Sequence, residues 1–117
     1  MSEQNDTIFG RILRGELPAN RVWEDEHCIA FRDINPAAPT HILVIPREHI
    51  PTINDVTDEH RLVLGHMITV AARIAREQGI ADDGYRLVFN TNQDGGQTVY
   101  HIHLHILGGR RMSWPPG

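Results

Sequence analysis

The chain has 117 residues, 40% of them apolar, and a formal net charge of −4. That length fits one domain with its own core, and the acidic balance excludes a general nucleic-acid binder, which needs a basic field. All eleven basic residues are Arg, so Schiff-base chemistry and a P-loop lysine are excluded. Any phosphate must be held by backbone N–H groups, His, Arg or small polar side chains.

Cys28 is the only cysteine, which leaves no intrachain disulfide and no cysteine-based zinc cluster. Residues 1–15 lack a signal-peptide core and no apolar run approaches the ~20 residues of a membrane span. A cytoplasmic protein without membrane contact is expected.

In chain order, Met1 to Asp6 is polar and is expected to be loose. Asp6 or Thr7 caps a short helix in which Ile8, Phe9, Ile12 and Leu13 form one stripe, ended by Gly15 and Pro18. Arg21 to Glu24 and Cys28 to Asp33 read as strands around an acidic turn, with Ile29, Phe31 and Asp33 on one face. The prolines of Asn35-Pro36-Ala37-Ala38-Pro39 forbid ladder pairing there. Thr40 to Ile45 is a third strand, with His41, Leu43 and Ile45 on one face and Pro46 as its stop. Thr57 or Asp58 caps the one long helix, in which Leu64, Met67, Ile68, Ala71, Ile74 and Ala75 recur at helical spacing before Gln78-Gly79. His60 and His66 lie on that helix without metal-ligand spacing and read as surface or packing residues. Arg86 to Asn90 is a fourth strand, with Val88 and Asn90 sharing a face. Asn92 to Thr98 is a glycine-containing turn.

His101 to Leu107 follows at once and alternates imidazole with aliphatic side chains. In a strand this puts His101, His103 and His105 on one face over about 13 Å, with Ile102, Leu104 and Ile106 entering the core. A merely solvated face fits one histidine better than three in register. A metal would use two of the rings and need a further ligand such as His41 or Asp33, because ~13 Å is too wide a spread for one ion. Covalent catalysis at phosphorus fits better. Neutral imidazole is a nucleophile near pH 7, and neighbouring imidazoles hold its tautomer and share protons. The Asp94 to Thr98 turn is expected to aim backbone N–H groups and the Thr98 hydroxyl at phosphate oxygens, with Asn90 adding an amide donor.

These residues carry a resemblance. His101 to Leu107 matches the His-φ-His-φ-His-φ-φ signature of the histidine-triad (HIT) superfamily, where φ is apolar. Thr7-Ile8-Phe9-Gly10, Ala38-Pro39-Thr40-His41, Asp94-Gly95-Gly96-Gln97, Gly108-Gly109-Arg110 and Trp114-Pro115-Pro116-Gly117 resemble its nucleotide-binding branch, Hint. The resemblance covers nearly the whole chain from Thr7 onward. It implies a purine nucleoside phosphoramidase that cleaves adenosine or guanosine 5′-phosphoramidates through a nucleotidyl-histidine, with His103 as nucleophile. By the same analogy Asp33 binds the ribose hydroxyls. Ile8, Phe9, Ile12, Phe31 and Leu43 enclose the base, and Asn90, Gly96, Thr98 and His105 surround the phosphate. His41 and His101 complete the polar site. No cofactor or metal is implied. Thr98 stands where this branch often has Ser, and Ser113 where relatives often have His.

Four or five short antiparallel strands and one long helix read as an α+β fold, a single domain over 1–117 with a tail from Gly108. The resemblance implies a five-stranded sheet and a homodimer joined through the strand after Gly84 and the long helix. It also brings the Trp114 tail to the partner's site. Dinucleoside polyphosphate hydrolysis, seen in another branch, and a nucleotide-binding interaction protein are the alternatives.

Overall fold

The computed structural model describes residues 5–117, so the expectation for Met1–Gln4 lies outside the described residues. The elements are α1 (Ile8–Leu13), β1 (Arg21–Glu24), β2 (Cys28–Arg32), β3 (Thr40–Pro46), α2 (Arg61–Glu77), β4 (Tyr85–Val88), α3 (Asn92–Gly95) and β5 (Leu104–Gly108). The five strands form one antiparallel sheet in the order β1-β2-β3-β5-β4. This is the α+β architecture read from the sequence.

Alternation sorts the sheet's side chains to two faces. Cys28, Ala30, Ile42, Val44, Leu104 and Ile106 pack under α2 against Met67, Val70, Ala71 and Ile74. Ile29, Phe31, Leu43 and Ile45 face the other way and pack with Phe9 and Ile12 of α1. The register pairs Ile29 with Ile45 and Phe31 with Leu43, so the smaller cluster is a contiguous patch with α1 as its lid. Thr7 caps α1 by accepting from the Gly10 amide at 3.0 Å.

The structure corrects several boundaries. β5 begins at Leu104, not His101, because the β3 ladder ends at the Val44–Leu104 pair. The Ile102 amide turns to the Ile50 carbonyl at 2.8 Å, and His101, Ile102 and His103 are all buried. There is no solvated histidine face. β4 ends at Val88 rather than Asn90, and β2 at Arg32 rather than Asp33. Thr57 caps a separate single turn over Asp58–His60, and α2 starts only at Arg61. The glycine turn holds the short helix α3, closed by Gly96 in the left-handed region at φ +79°; glycine adopts it without a Cβ penalty. No helix among the described residues is long and apolar enough to cross a membrane.

Candidate active site

A cavity of about 410 Å³ opens on the α1 face of the sheet, within the size range of small-ligand sites. Ile8, Phe9, Ile12, Phe31, Leu43, Asp33, Thr98, His103 and His105 line it, as do Leu17, Pro18, Ala19, Arg32, Ile34 and Val99. Most of the lining is thus apolar, with Arg32, Asp33, Thr98, His103 and His105 as its polar members. Phe9 stands edge-on to Phe31 at 5.5 Å and to His103 at 4.9 Å between ring centroids, so one ring links the apolar wall to the imidazoles.

The hydrogen-bond partners assign every tautomer of the histidine group. A carbonyl only accepts, so His103 Nδ1–H donates to the His101 carbonyl at 2.9 Å and leaves His103 Nε2 as a free lone pair. His101 Nε2–H donates to the Pro46 carbonyl at 2.8 Å, while its Nδ1 accepts from the Asn5 amide at 2.9 Å. On the other side, the Ala37 backbone N–H donates to His41 Nδ1 at 3.0 Å. His41 therefore carries its proton on Nε2 and donates to His105 Nδ1 at 2.9 Å. That leaves His105 with a proton on Nε2. Among the described residues, this is the buried side-chain nitrogen that finds no partner. An unmet buried donor costs about 1–3 kcal/mol, and an anionic oxygen in the cavity relieves it.

The ring centroids of His103 and His105 are 4.9 Å apart, so the free lone pair and the unpartnered N–H belong to adjacent rings that both line the cavity. Burial pushes all four imidazoles below their ordinary pKa, with His101 and His105 at about 4 and His41 and His103 lowered in the same direction. They are neutral at pH 7, as a nucleophile requires. Asp33 lies 3.5 Å from His41 Nε2 and accepts from the Asn35 amide at 2.8 Å. Asp33, His41 and His105 bring three ligand atoms close enough to share a metal ion.

The expected residues do not all converge. His41 and His101 sit behind the cavity wall and act on it through His105 and His103. Asn90 and Gly96 do not line it, nor does Trp114, which the resemblance assigns to the partner's site. The Gly96 and Gln97 amides bond to Gln93 and Asn92 carbonyls inside the turn. Asn90 backs the turn, its carbonyl carbon 3.6 Å from where a Cβ on Gly95 would stand. Trp114 is 82% exposed on the tail, which Arg86 fixes by donating to the Ser113 carbonyl at 2.9 Å.

Three supports escaped the sequence reading. Asn5, in the stretch expected to be loose, holds His101 and is itself fixed by Thr7, which donates from its amide and hydroxyl to Asn5 Oδ1. His49 stacks on His101 at 5.4 Å. Buried Gln97 ties the glycine turn to the Pro51 carbonyl at 2.7 Å. Isolated polar residues in irregular segments carry no periodic signal that marks such roles.

The HIT domain model matches residues 14–112. A purine nucleoside phosphoramidase of Escherichia coli is 62% identical over 107 residues, 92% of this chain and 90% of that protein. An uncharacterized HIT-like protein of Synechococcus elongatus is 54% identical over 117 residues and the full length of both. A HIT family hydrolase from Legionella pneumophila superposes with a TM-score of 0.94 at 54% identity, covering 96% of this chain and 100% of that one. A histidine triad protein from Clostridium difficile gives 0.91 at 41% identity, covering 96% and 97%. The chain belongs to the HIT domain family.

Proposed function

We propose that the protein is a purine nucleoside phosphoramidase that splits the P–N bond of adenosine or guanosine 5′-phosphoramidates. The observation that carries this reading is the pairing of the free His103 Nε2 lone pair with the unpartnered His105 Nε2–H at the end of an apolar slot. The likeness to the E. coli phosphoramidase supports the substrate class.

In this reading the purine enters between Phe9, Ile12, Phe31 and Leu43, and the ribose hydroxyls bond to Asp33. The α-phosphate then lies over the histidine pair. His103 Nε2 attacks phosphorus in line as the P–N bond breaks, and the amine leaves with the P–N electron pair and takes a proton from solvent, so that a nucleotidyl-imidazolium remains. His105 Nε2–H donates to a phosphoryl oxygen as charge grows there, and the Thr98 hydroxyl adds a second donor. The His101 carbonyl, accepting from His103 Nδ1, stabilises the imidazolium character that develops on attack. Water then attacks the phosphorus of nucleotidyl-His103, the His103–phosphorus bond breaks with its electron pair returning to a neutral imidazole, the water's proton passes to solvent, and the nucleoside monophosphate is released. Neither step uses a cofactor or a metal.

A homodimer is part of the proposal. β4 is an edge strand whose outer side pairs with nothing in the described chain. Leu64, Ile68 and Ala72 recur at four-residue steps along α2, with Ile68 48% exposed. Joining two copies there covers the strand edge and the apolar stripe together, and it gives the exposed Trp114 tail a partner surface. The lone free thiol suits a cytoplasmic setting.

Incubation with adenosine 5′-phosphoramidate tests the reading through release of AMP. His103→Ala is expected to lower kcat by at least about 10⁴-fold, as for loss of a covalent nucleophile. Undiminished turnover in that variant refutes the assignment. Faster turnover of diadenosine polyphosphates than of phosphoramidates supports the hydrolase alternative instead.

A further inference from the structure

A second group of chemistry-bearing side chains lies on the opposite face of the sheet. Asp25 sits in the β1–β2 turn, Cys28 opens β2 and His66 projects from α2, and one ligand atom from each lies within 4.8 Å of the others. His66 Nε2 is 2.7 Å from Asp25 Oδ2, and Cys28 Sγ is 3.8 Å from the same oxygen. We propose that Asp25, Cys28 and His66 form a binding site for a divalent transition ion of the zinc class, separate from the histidine cavity.

Four features carry the inference. The donor set is one thiolate, one imidazole and one carboxylate, each an established ligand type for such an ion. Its charge closes: a carboxylate and a thiolate balance a dication, so the occupied site is neutral although Cys28 is wholly buried. The carboxylate is already oriented by a supporting shell. Oδ1 accepts from the His27 and Cys28 amides at 2.7 and 2.9 Å, and Oδ2 accepts from Trp23 Nε1–H at 2.8 Å. Outer bonds of this kind fix first ligands in metal sites. Finally, there is an entry path and room for a fourth ligand. His66 and Asp25 keep side-chain exposures of 34% and 23%, and a surface cavity of about 260 Å³ lies beside them, lined by His27, Leu62, Val63 and His66. The His27 ring is 5.1 Å from that of His66, so either His27 or a water completes a tetrahedron.

Without an ion, burial and the Asp25 charge push the Cys28 thiol up to about 12. Binding exchanges the thiol proton for the metal and releases it to solvent, while His66 moves its proton from Nε2 to Nδ1. One proton leaves per ion bound. The site lies toward the β1 edge, where Arg73 of α2 covers Trp23 at 5.4 Å. The proposed dimer edge, β4, is at the other end of the sheet, and His66 lies two residues, about 200° of helical turn, from both Leu64 and Ile68, so the ligand side of α2 faces away from the joined stripe.

Cobalt(II) titration of the full chain tests this, because Cys28 is the only cysteine and a thiolate-to-cobalt charge-transfer band reports it alone. The expected result is a band that saturates at one ion per chain, with one proton released. Cys28→Ser is expected to abolish the band, and His66→Gln to raise the half-saturating cobalt concentration by about tenfold or more. Melting of the metal-free variants, followed by circular dichroism, establishes that each is folded. Cobalt binding without the band places the ion on the histidine cavity and overturns the proposal. So does a band that His66→Gln leaves unchanged, or no binding at all.

Discussion

Acidification is expected to unfold this protein through its buried imidazoles, and the size of the effect follows from two of them. His101 and His105 titrate at about 4 in the folded chain, against roughly 6.5 when unfolded. Between those values the unfolded chain binds two protons that the native chain refuses. A lowered histidine pKa therefore contributes stability that is complete above about pH 6.5 and is lost as pH falls toward 4. Each refused proton costs about 1.4 kcal/mol per pH unit, so the pair gives a slope of about 2.7 kcal/mol per unit between pH 6 and 5. His41 and His103 shift in the same direction and steepen it. Over the roughly 2.5 units between those values the pair removes about 6 kcal/mol, all of the stability at the low end of a typical total of roughly 5–15 kcal/mol and less than half of it at the high end. Urea denaturation at fixed protein concentration measures this. At m values of about 1–3 kcal/mol/M, the midpoint should fall by about 1 M or more from pH 6 to 5. His105→Asn should remove about 1.4 kcal/mol per unit from the slope. A midpoint that is flat from pH 7.5 to 5, or a slope that His105→Asn leaves unaltered, refutes the assignment of buried neutral histidines.

Other outcomes follow from the same geometry. Phe9→Ala removes the ring shared by Phe31 and His103 and should cost about 3 kcal/mol by thermal unfolding, with KM for the phosphoramidate raised. In Gly109→Ala the new Cβ would stand 2.8 Å from the Pro39 ring in a residue at φ +88°. A loss of about 1–2 kcal/mol is expected by urea titration, and an unchanged midpoint contradicts the strain argument. Because burial holds His103 neutral, kcat/KM should stay level from pH 8 down past 6.5 and fall only below the ordinary imidazole range. An acid limb centred above 6.5 in the pH–rate profile contradicts this.

Much of the site was legible because strand parity carries it. Phe31 with Leu43, and His103 with His105, reach one cavity because alternation puts them on one face. What alternation hid was the end of β5. His101 and Ile102 keep the pattern of a strand, yet their bonds go to the Pro46 and Ile50 carbonyls, at the end of β3 and in the segment after it, both distant in sequence. The same cause explains the glycine turn. Its composition did not show that the Gly96 and Gln97 amides close α3, while Thr98 alone of the turn lines the cavity. Asn5 lay in a polar stretch with no periodicity, and only the fold reveals that its amide reaches His101. Cys28, Asp25 and His66 were read separately because 41 residues separate Asp25 from His66, and only the packing of α2 on the sheet brings them together.

The central claim is that one ring, His103, carries the nucleotide between two displacements. Rapid quenching into base during turnover of adenosine 5′-phosphoramidate, followed by mass mapping of the peptides, tests it most directly. The account predicts an adenylyl group on His103 alone, forming and decaying fast enough to match kcat. An adduct on His101 or His105, or steady turnover with no protein-bound nucleotide, contradicts it.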